Sequence, residues 1–416
     1  MNRLKNISII FLLSSFILSF IISCDSTDPK PPEKPPGYQE DIHWPSLADS
    51  PWPIYRGDPQ NTNRSKFNSV KGLLDWKIDS IYIWSGITLD ENDNLYFVGQ
   101  SGLYSYNPDG SLRWIYEYQT TDGEPTPLIT STGKVICAKT RFPGPYIYAL
   151  DLDGNFLWRI DGYSLVNESF TISKDGLLYG IVFDEEFVLI EIDLEGTITW
   201  RSAANLFSPG IRSLAFSPDG EILYCSTGFQ NEKLIAFSIR SKNIVWEYNG
   251  NVRFGVSVNN SGELFFHSFD SINEVNLVAL NSDGTEKWKK DISVNSDYEA
   301  FKGVAIDYFG NIYSKSEVTE NPDGSIAKFT SEGSIEWIKN AVGFKDRITI
   351  DRNCNIYFTQ SLFPEVNVSS LKSSGDLIWS VKINSNFANF SAPLVINSYS
   401  QMFIIQQYKK LIQTIR

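Results

Sequence analysis

From residue 71 onward the chain alternates apolar and polar positions with a period of two, broken at short intervals by Asp-Gly or a similar turn pair. Such alternation puts one face of a strand into a core and the other toward water, and the turn pairs join the strands into hairpins. Helical spacing of apolar residues is missing from this region. Two kinds of hairpin recur. One ends in Trp, as in LYSYNPDGSLRW, YALDLDGNFLW and LVALNSDGTEKW, and sets Trp76, Trp114, Trp158, Trp200, Trp246, Trp288, Trp337 and Trp379 at intervals of 38 to 49 residues. The other runs from an apolar strand through a turn into an aromatic or aliphatic strand, as in GITLDENDNLYFV, FTISKDGLLYGIV and ITIDRNCNIYFTQ, and also occurs eight times.

This period suits one propeller blade, and two hairpins supply its four strands. The prediction is an all-β chain, an eight-bladed β-propeller of four-stranded antiparallel blades. Its two ends are incomplete in complementary ways. The Trp76 strand has no inner hairpin before it, and the last inner hairpin, Pro393 to Ile405, has no Trp after it. Pairing the N-terminal strand with the C-terminal strands closes the ring and removes an open sheet edge. Each Trp is expected to pack against the neighbouring blade. Gly110, Gly154 and Gly284 are expected to take positive φ in the turns, with the preceding Asp bonding to the turn backbone. DLDGN and DENDN lack the spacing and acidic end of a complete calcium loop, so they read as turns.

The leader has its own pattern. Arg3 and Lys5 precede an apolar run from Ile7 to Ser23, the layout of a secretory signal. The run stops at FIISC, whose Cys24 is expected to be the lipidated first residue of a mature lipoprotein. Next comes DSTDPKPPEKPPGYQED, Pro-rich and poor in apolar residues, which favours an extended stem. The expected organisation is a signal peptide over 1–23, a tether over 24–50 and a propeller over 51–416.

Composition narrows the chemistry. The 416 residues carry a net charge of −13, which repels a phosphate backbone, so nucleic acid is not an expected partner. With two His, His43 and His267, and no nucleophile motif beside either, imidazole catalysis and transition-metal binding have little to draw on. No catalytic residue, metal or cofactor is expected. FDEEF at Phe183 to Phe187 reads as a solvated loop. Beyond Cys24, Cys137 and Cys225 fall on strands and Cys354 in a turn; an odd number leaves at least one unpaired, and buried inert thiols are expected. Arg212, Arg253, Lys302 and Arg347 enter inner strands and are candidate cations at the channel face, able to attract an acidic partner loop or an anionic glycan.

These residues resemble the repeats of the pyrroloquinoline-quinone-type β-propellers, whose outer hairpin approaches A-x-D-x-x-T-G-x-x-x-W. Ala149, Asp151, Gly154 and Trp158 match with one residue fewer in the turn, as do Ala279, Gly284 and Trp288 with Asn281 at the Asp position. Ala236, Ser238, Ser241 and Trp246 keep the full length but have Lys242 in place of Gly. WPIYRGDPQNTNRS, Trp52 to Ser65, is similar to the W-P-x-x-R-G-D segment that often precedes the first blade. One branch of this superfamily, the quinoprotein dehydrogenases, implies a quinone and calcium over the axis and commonly adjacent cysteines, which this chain lacks. The other branch comprises lipoprotein propellers that scaffold outer-membrane barrel assembly. It implies a monomeric, non-catalytic, lipid-anchored protein of the bacterial cell envelope, at the outer rather than the inner membrane, with protein partners. The alternative is a surface glycan-binding or nutrient-associated lipoprotein.

Overall fold

A computed structural model describes residues 34–416 apart from 69, 121–122, 141–143, 204–213, 227–232, 253–254, 272–273, 293–302, 317–323, 342, 345–346, 363–364, 384–392 and 407–410. The signal segment and Cys24 therefore lie outside the described residues, as do Arg212, Arg253 and Lys302. The chain divides into a short unit ending at Tyr38 and a body from Gln39 to Arg416. In the short unit the Lys34 ammonium lies 4.8 Å from the Tyr38 ring centroid.

The body is an eight-bladed β-propeller made of eight four-stranded antiparallel sheets. Blade 1 shows the plan: Thr88–Leu89 innermost, then Leu95–Gly99, Gly102–Tyr106 and Leu112–Glu117 outermost. Seven blades are continuous in sequence. The eighth joins Val395–Ile396, Met402–Gln406 and Leu411–Ile415 to the outermost strand Leu74–Ile78, as the incomplete repeats predict. Leu74 pairs with Ile415 and Ile78 with Ile412, and Leu73 and Arg416 exchange both backbone bonds at 2.9 Å. Burial follows the alternation read from the sequence in outer strands such as Asn243–Asn249, which alternates exposed and half-buried, whereas second and third strands are mostly buried, at every position in Leu95–Gly99 and Gly102–Tyr106. The two central strands are covered on both faces by neighbouring blades, which explains their near-continuous apolar runs.

The eight tryptophans form the outer joints. Trp114 of blade 1 lies against Gly154 of blade 2, where a Cβ would stand 2.7 Å from the indole Cδ2. The same contact joins Trp76 to Gly110, Trp158 to Gly196, Trp246 to Gly284, Trp288 to Gly333, Trp337 to Gly375 and Trp379 to Gly72. Each of these indoles also donates Nε1–H to a carbonyl two residues before the glycine, at 2.8 to 3.1 Å. The turn glycine thus has two duties. Positive φ, +85° at Gly154, is one; the other is a bare Cα on which the next ring can lie. The missing glycine at Lys242 is accommodated differently. Lys242 adopts φ 56°, and its ammonium lies 5.1 Å from the Trp200 centroid while pairing with Glu191 and Tyr179. Within their sheets Trp114, Trp158, Trp246, Trp288 and Trp379 pair in register with small third-strand residues, Ser105, Ala149, Ala236, Ala279 and Ser370.

Candidate binding face and the filled axis

The axis of the ring is occupied by the chain itself. Residues 39–50, expected as part of the tether, lie against the turns between first and second strands. Gln39 donates its backbone N–H to the Tyr308 carbonyl and accepts from Asn260, Trp44 Nε1 donates to the Ile172 carbonyl at 2.9 Å, and Leu47 forms a bridge with Thr130. Ser50 donates to the Leu89 carbonyl at 2.6 Å. The strap therefore sweeps from blade 6 to blade 1 across one face. Trp52 then turns inward, and the segment to Ser65 circles the axis a second time.

In that inner circuit the carbonyls of Trp52, Pro53, Pro59, Gln60, Thr62 and Asn63 accept the N–H groups of Leu89, Ile129, Phe216, Val258, Ile306 and Ile350 at 2.7 to 3.0 Å. One innermost strand from each of six blades is thereby satisfied by one short peptide. Inner edges left bare would cost desolvated donors. Asn61 Nδ2 adds bonds to the Leu214 and Val256 carbonyls, and Ser65 N–H bonds back to Ile350. Such tight circling needs unusual backbone: Arg56, Asn61 and Asn63 have φ of 63°, 58° and 57°, and Gly57 has 89°. Trp52 anchors the segment at 1 % exposure, with Gly57 against its ring.

The candidate ligands of the sequence can now be placed. Asp90 is committed to its own turn: Oδ1 accepts from the Asn92 and Asn94 backbones, and Oδ2 from Asn94 Nδ2 and the Tyr96 hydroxyl, all at 2.8 to 2.9 Å. Asp307 with Asn311 and Tyr313, and Asp351 with Asn355 and Tyr357, repeat the arrangement. Burial raises the Asp351 carboxyl pKa, and burial also drives the Tyr96, Tyr313 and Tyr357 hydroxyls upward, so these phenols stay protonated donors. Asp151 in DLDGN likewise accepts from the backbones of Asp153 and Asn155 and from Asn155 Nδ2. These carboxylates lock hairpins and present no open cradle. Among the described residues no three His, Cys, Asp or Glu side chains gather as a metal site. A quinone with calcium therefore finds no matching donor set among the described residues, and no adjacent cysteines.

Of the four candidate cations, Arg347 is described. It stacks on Tyr55 of the inner circuit, 4.6 Å from the ring centroid, with Nη1 buried; lost hydration lowers its pKa to about 9. The structure thus sets it into the axis beside the plug. His267 is buried, its Nε2 is 2.8 Å from Ser314 Oγ, and burial followed by the charges of Arg56 and Lys315 lowers its pKa to about 3. It is a neutral core side chain, while His43 is exposed. Cys137, Cys225 and Cys354 are free and buried, and burial raises Cys137 and Cys354 to about 12, far from a reactive thiolate. Sequence reading missed Arg56 as an axial cation. Its signal was present in Trp52 to Ser65, but nothing local says that this loop enters a channel.

No family model matches the chain, and no curated protein matches it in sequence. Solved structures do match in fold. BamB from Moraxella catarrhalis aligns at 13% identity over 82% of this chain and 97% of its own, with a TM-score of 0.54. The quinohemoprotein alcohol dehydrogenase from Comamonas testosteroni aligns at 10% identity over 90% and 81%, with a TM-score of 0.62. The C-terminal WD40 domain of Sif2 reaches 0.61 at 13% identity, over 84% and 99%. At such identities the likeness is one of architecture, and it reaches across propellers of different chemistry. What these matches share with this chain is the closed ring of antiparallel blades, and among them stand two proteins of the quinone-type propeller class that its repeats resemble.

Proposed function

We propose that this chain is a non-catalytic lipoprotein of the bacterial cell envelope, carried at the outer membrane by a lipid on Cys24, whose propeller is a rigid docking platform for protein partners. The observation that carries this reading is the filled axis. Residues 52–65 occupy the position around which the inner strands converge and bind six of them through main-chain carbonyls, so the ring is braced from within. A body held at its rim by indole joints and at its centre by a plug presents its loops with little freedom to deform. Recognition by pre-positioned loops costs less ordering entropy than recognition by mobile ones. The similarity to BamB supports the scaffold reading through architecture, and the acidic composition supports partners other than nucleic acid. No catalytic step is assigned.

The test is capture from cross-linked envelopes with the lipidated protein, compared with a Cys24→Ala form. Recovery of a defined partner set by the lipidated form supports the platform. Absence of any enriched protein, together with a visible cofactor spectrum after adding quinone and calcium, overturns it in favour of a dehydrogenase. One observation favours the glycan alternative: Tyr82 and Trp84 of blade 1 stack at 8° with centroids 5.7 Å apart, and Tyr82 is 39% exposed. Binding of an oligosaccharide array by wild type but not by Tyr82→Ala would select that reading.

A further inference from the structure

Arg56 is a buried cation that its own chain matches incompletely. Its side chain is 1 % exposed. Nε donates to Asn63 Oδ1 at 3.3 Å, and Nη2 to Ser257 Oγ at 2.8 Å and the Val304 carbonyl at 2.5 Å. Nη1 is buried and has no acceptor among the described residues. The acid whose charge it feels, Asp58, keeps its carboxylate on Thr62, accepting from both N and Oγ1. An unmatched guanidinium donor in a desolvated place is costly, so a group outside the protein chain that completes it, an anion among them, is favoured there.

The surroundings point to the sign and direction of that completion. Arg347 stacks on Tyr55, the residue before Arg56, and Arg64 lies in the same segment, so three guanidinium groups stand at the plug. Arg56 and Lys315 both bear on His267, which places a fourth cation in the same region of a chain whose net charge is −13. Gly303, just before the inner strand of blade 6, lies over the guanidinium, and a Cβ there would stand 3.3 Å from both Nη1 and Nη2. This glycine is part-exposed, and among the described residues its bare backbone is what lies over the terminal nitrogens.

We propose that Arg56 is the floor of a carboxylate-binding site on the loop side of the axis, completed by an acidic side chain of a protein partner. This rests on the platform reading above. A carboxylate is planar, fits the guanidinium fork and supplies the acceptor that Nη1 lacks. Entry requires the Gly303 backbone to yield, and the absence of a side chain there makes that a small movement.

The experiment measures thermal unfolding of the mature chain in sodium acetate and in sodium chloride at equal ionic strength. Acetate should raise the midpoint above the chloride value by an amount that grows with the logarithm of its concentration, as a ligand of the native state does. Arg56→Gln should abolish the excess, whereas Arg201→Gln, which alters a surface guanidinium already paired with Asp184 at 2.9 Å, should retain it. Equal responses to the two salts in wild type, or an excess that survives Arg56→Gln, would overturn the site. If Arg56→Gln does not fold, bromide-soaked crystals of the wild type decide: an anomalous peak beside Arg56 Nη1 supports the proposal and its absence removes it. Neither readout uses a partner protein, so this site can fail while the platform stands, and a positive acetate response with no captured partner would remove the platform alone.

Discussion

The outer and inner rings of this molecule hold the same eight blades by opposite means. At the rim, one joint is written seven times as an indole, a facing glycine and one N–H bond, and at Trp200 Lys242 stands in the glycine's place. At the centre, a peptide used once binds six blades through carbonyls that any residue possesses. Repetition distributes stability over many equivalent joints, so loss of one leaves the rest. A unique plug concentrates it, and its loss is felt by every blade it touches. The difference is one between redundancy and keystone.

The largest expected effect therefore comes from the centre. Deleting residues 39–65 removes six backbone bonds worth about 0.5–1.5 kcal/mol each, together with the buried Trp52, and should lower stability by at least about 5 kcal/mol in urea titration. A fall no greater than that of one rim variant would refute the keystone role. Next come the tryptophans. Trp52→Ala should cost about 3–5 kcal/mol, as large aromatic truncations in cores do. Trp158→Ala should cost less, about 2–3 kcal/mol, because its ring is only half-buried. Equal midpoints for the two would erase the distinction between centre and rim.

Smaller effects sharpen the account of the joints. Gly154→Ala puts a Cβ at φ +85° and 2.7 Å from Trp114 Cδ2, and should lose about 1–3 kcal/mol. Lys242→Gly gives up a cation–π contact and the Glu191 pair while relieving a left-handed backbone, so its net change should stay below about 1 kcal/mol. The smallest effect at neutral pH is that of His267. Its folded pKa, about 3, lies below the unfolded value near 6.5, so the stability it contributes is full above about 6.5 and is lost as pH falls toward 3. His267→Gln should flatten the unfolding midpoint across that window relative to wild type; parallel curves would show that the imidazole is not held neutral.

The rim was legible in sequence because each joint is made by side chains that recur: Trp158, Gly154 and Ala149 announce a hairpin before any coordinates exist. Closure was legible for the same reason, since a repeat missing its inner half and one missing its outer half can complete each other. The glycine's second duty was not, because a turn alone already accounts for Gly154. Nor were the roles of Asn94 and Tyr96, which lie four and six residues after Asp90 and use up its carboxylate. The centre was least legible. Trp52, Pro53, Pro59 and Gln60 act through main-chain oxygens, whose partners lie on blades far along the chain and leave no periodic trace. Of the four candidate channel cations, Arg347 is the one described and stacks on Tyr55, while Arg56 came to light only when the path of the plug was known.

The strand Leu74–Ile78 precedes seven whole blades in the chain, yet its hydrogen-bonding partner, Leu411–Ile415, follows them all. Until that partner is made an unmated edge must be kept from other edges, and the plug upstream must wait for the walls that will enclose it. Loss of Leu411–Ile415 would thus yield not a slightly smaller propeller but an open one, with a sticky seam ready to pair with other edges.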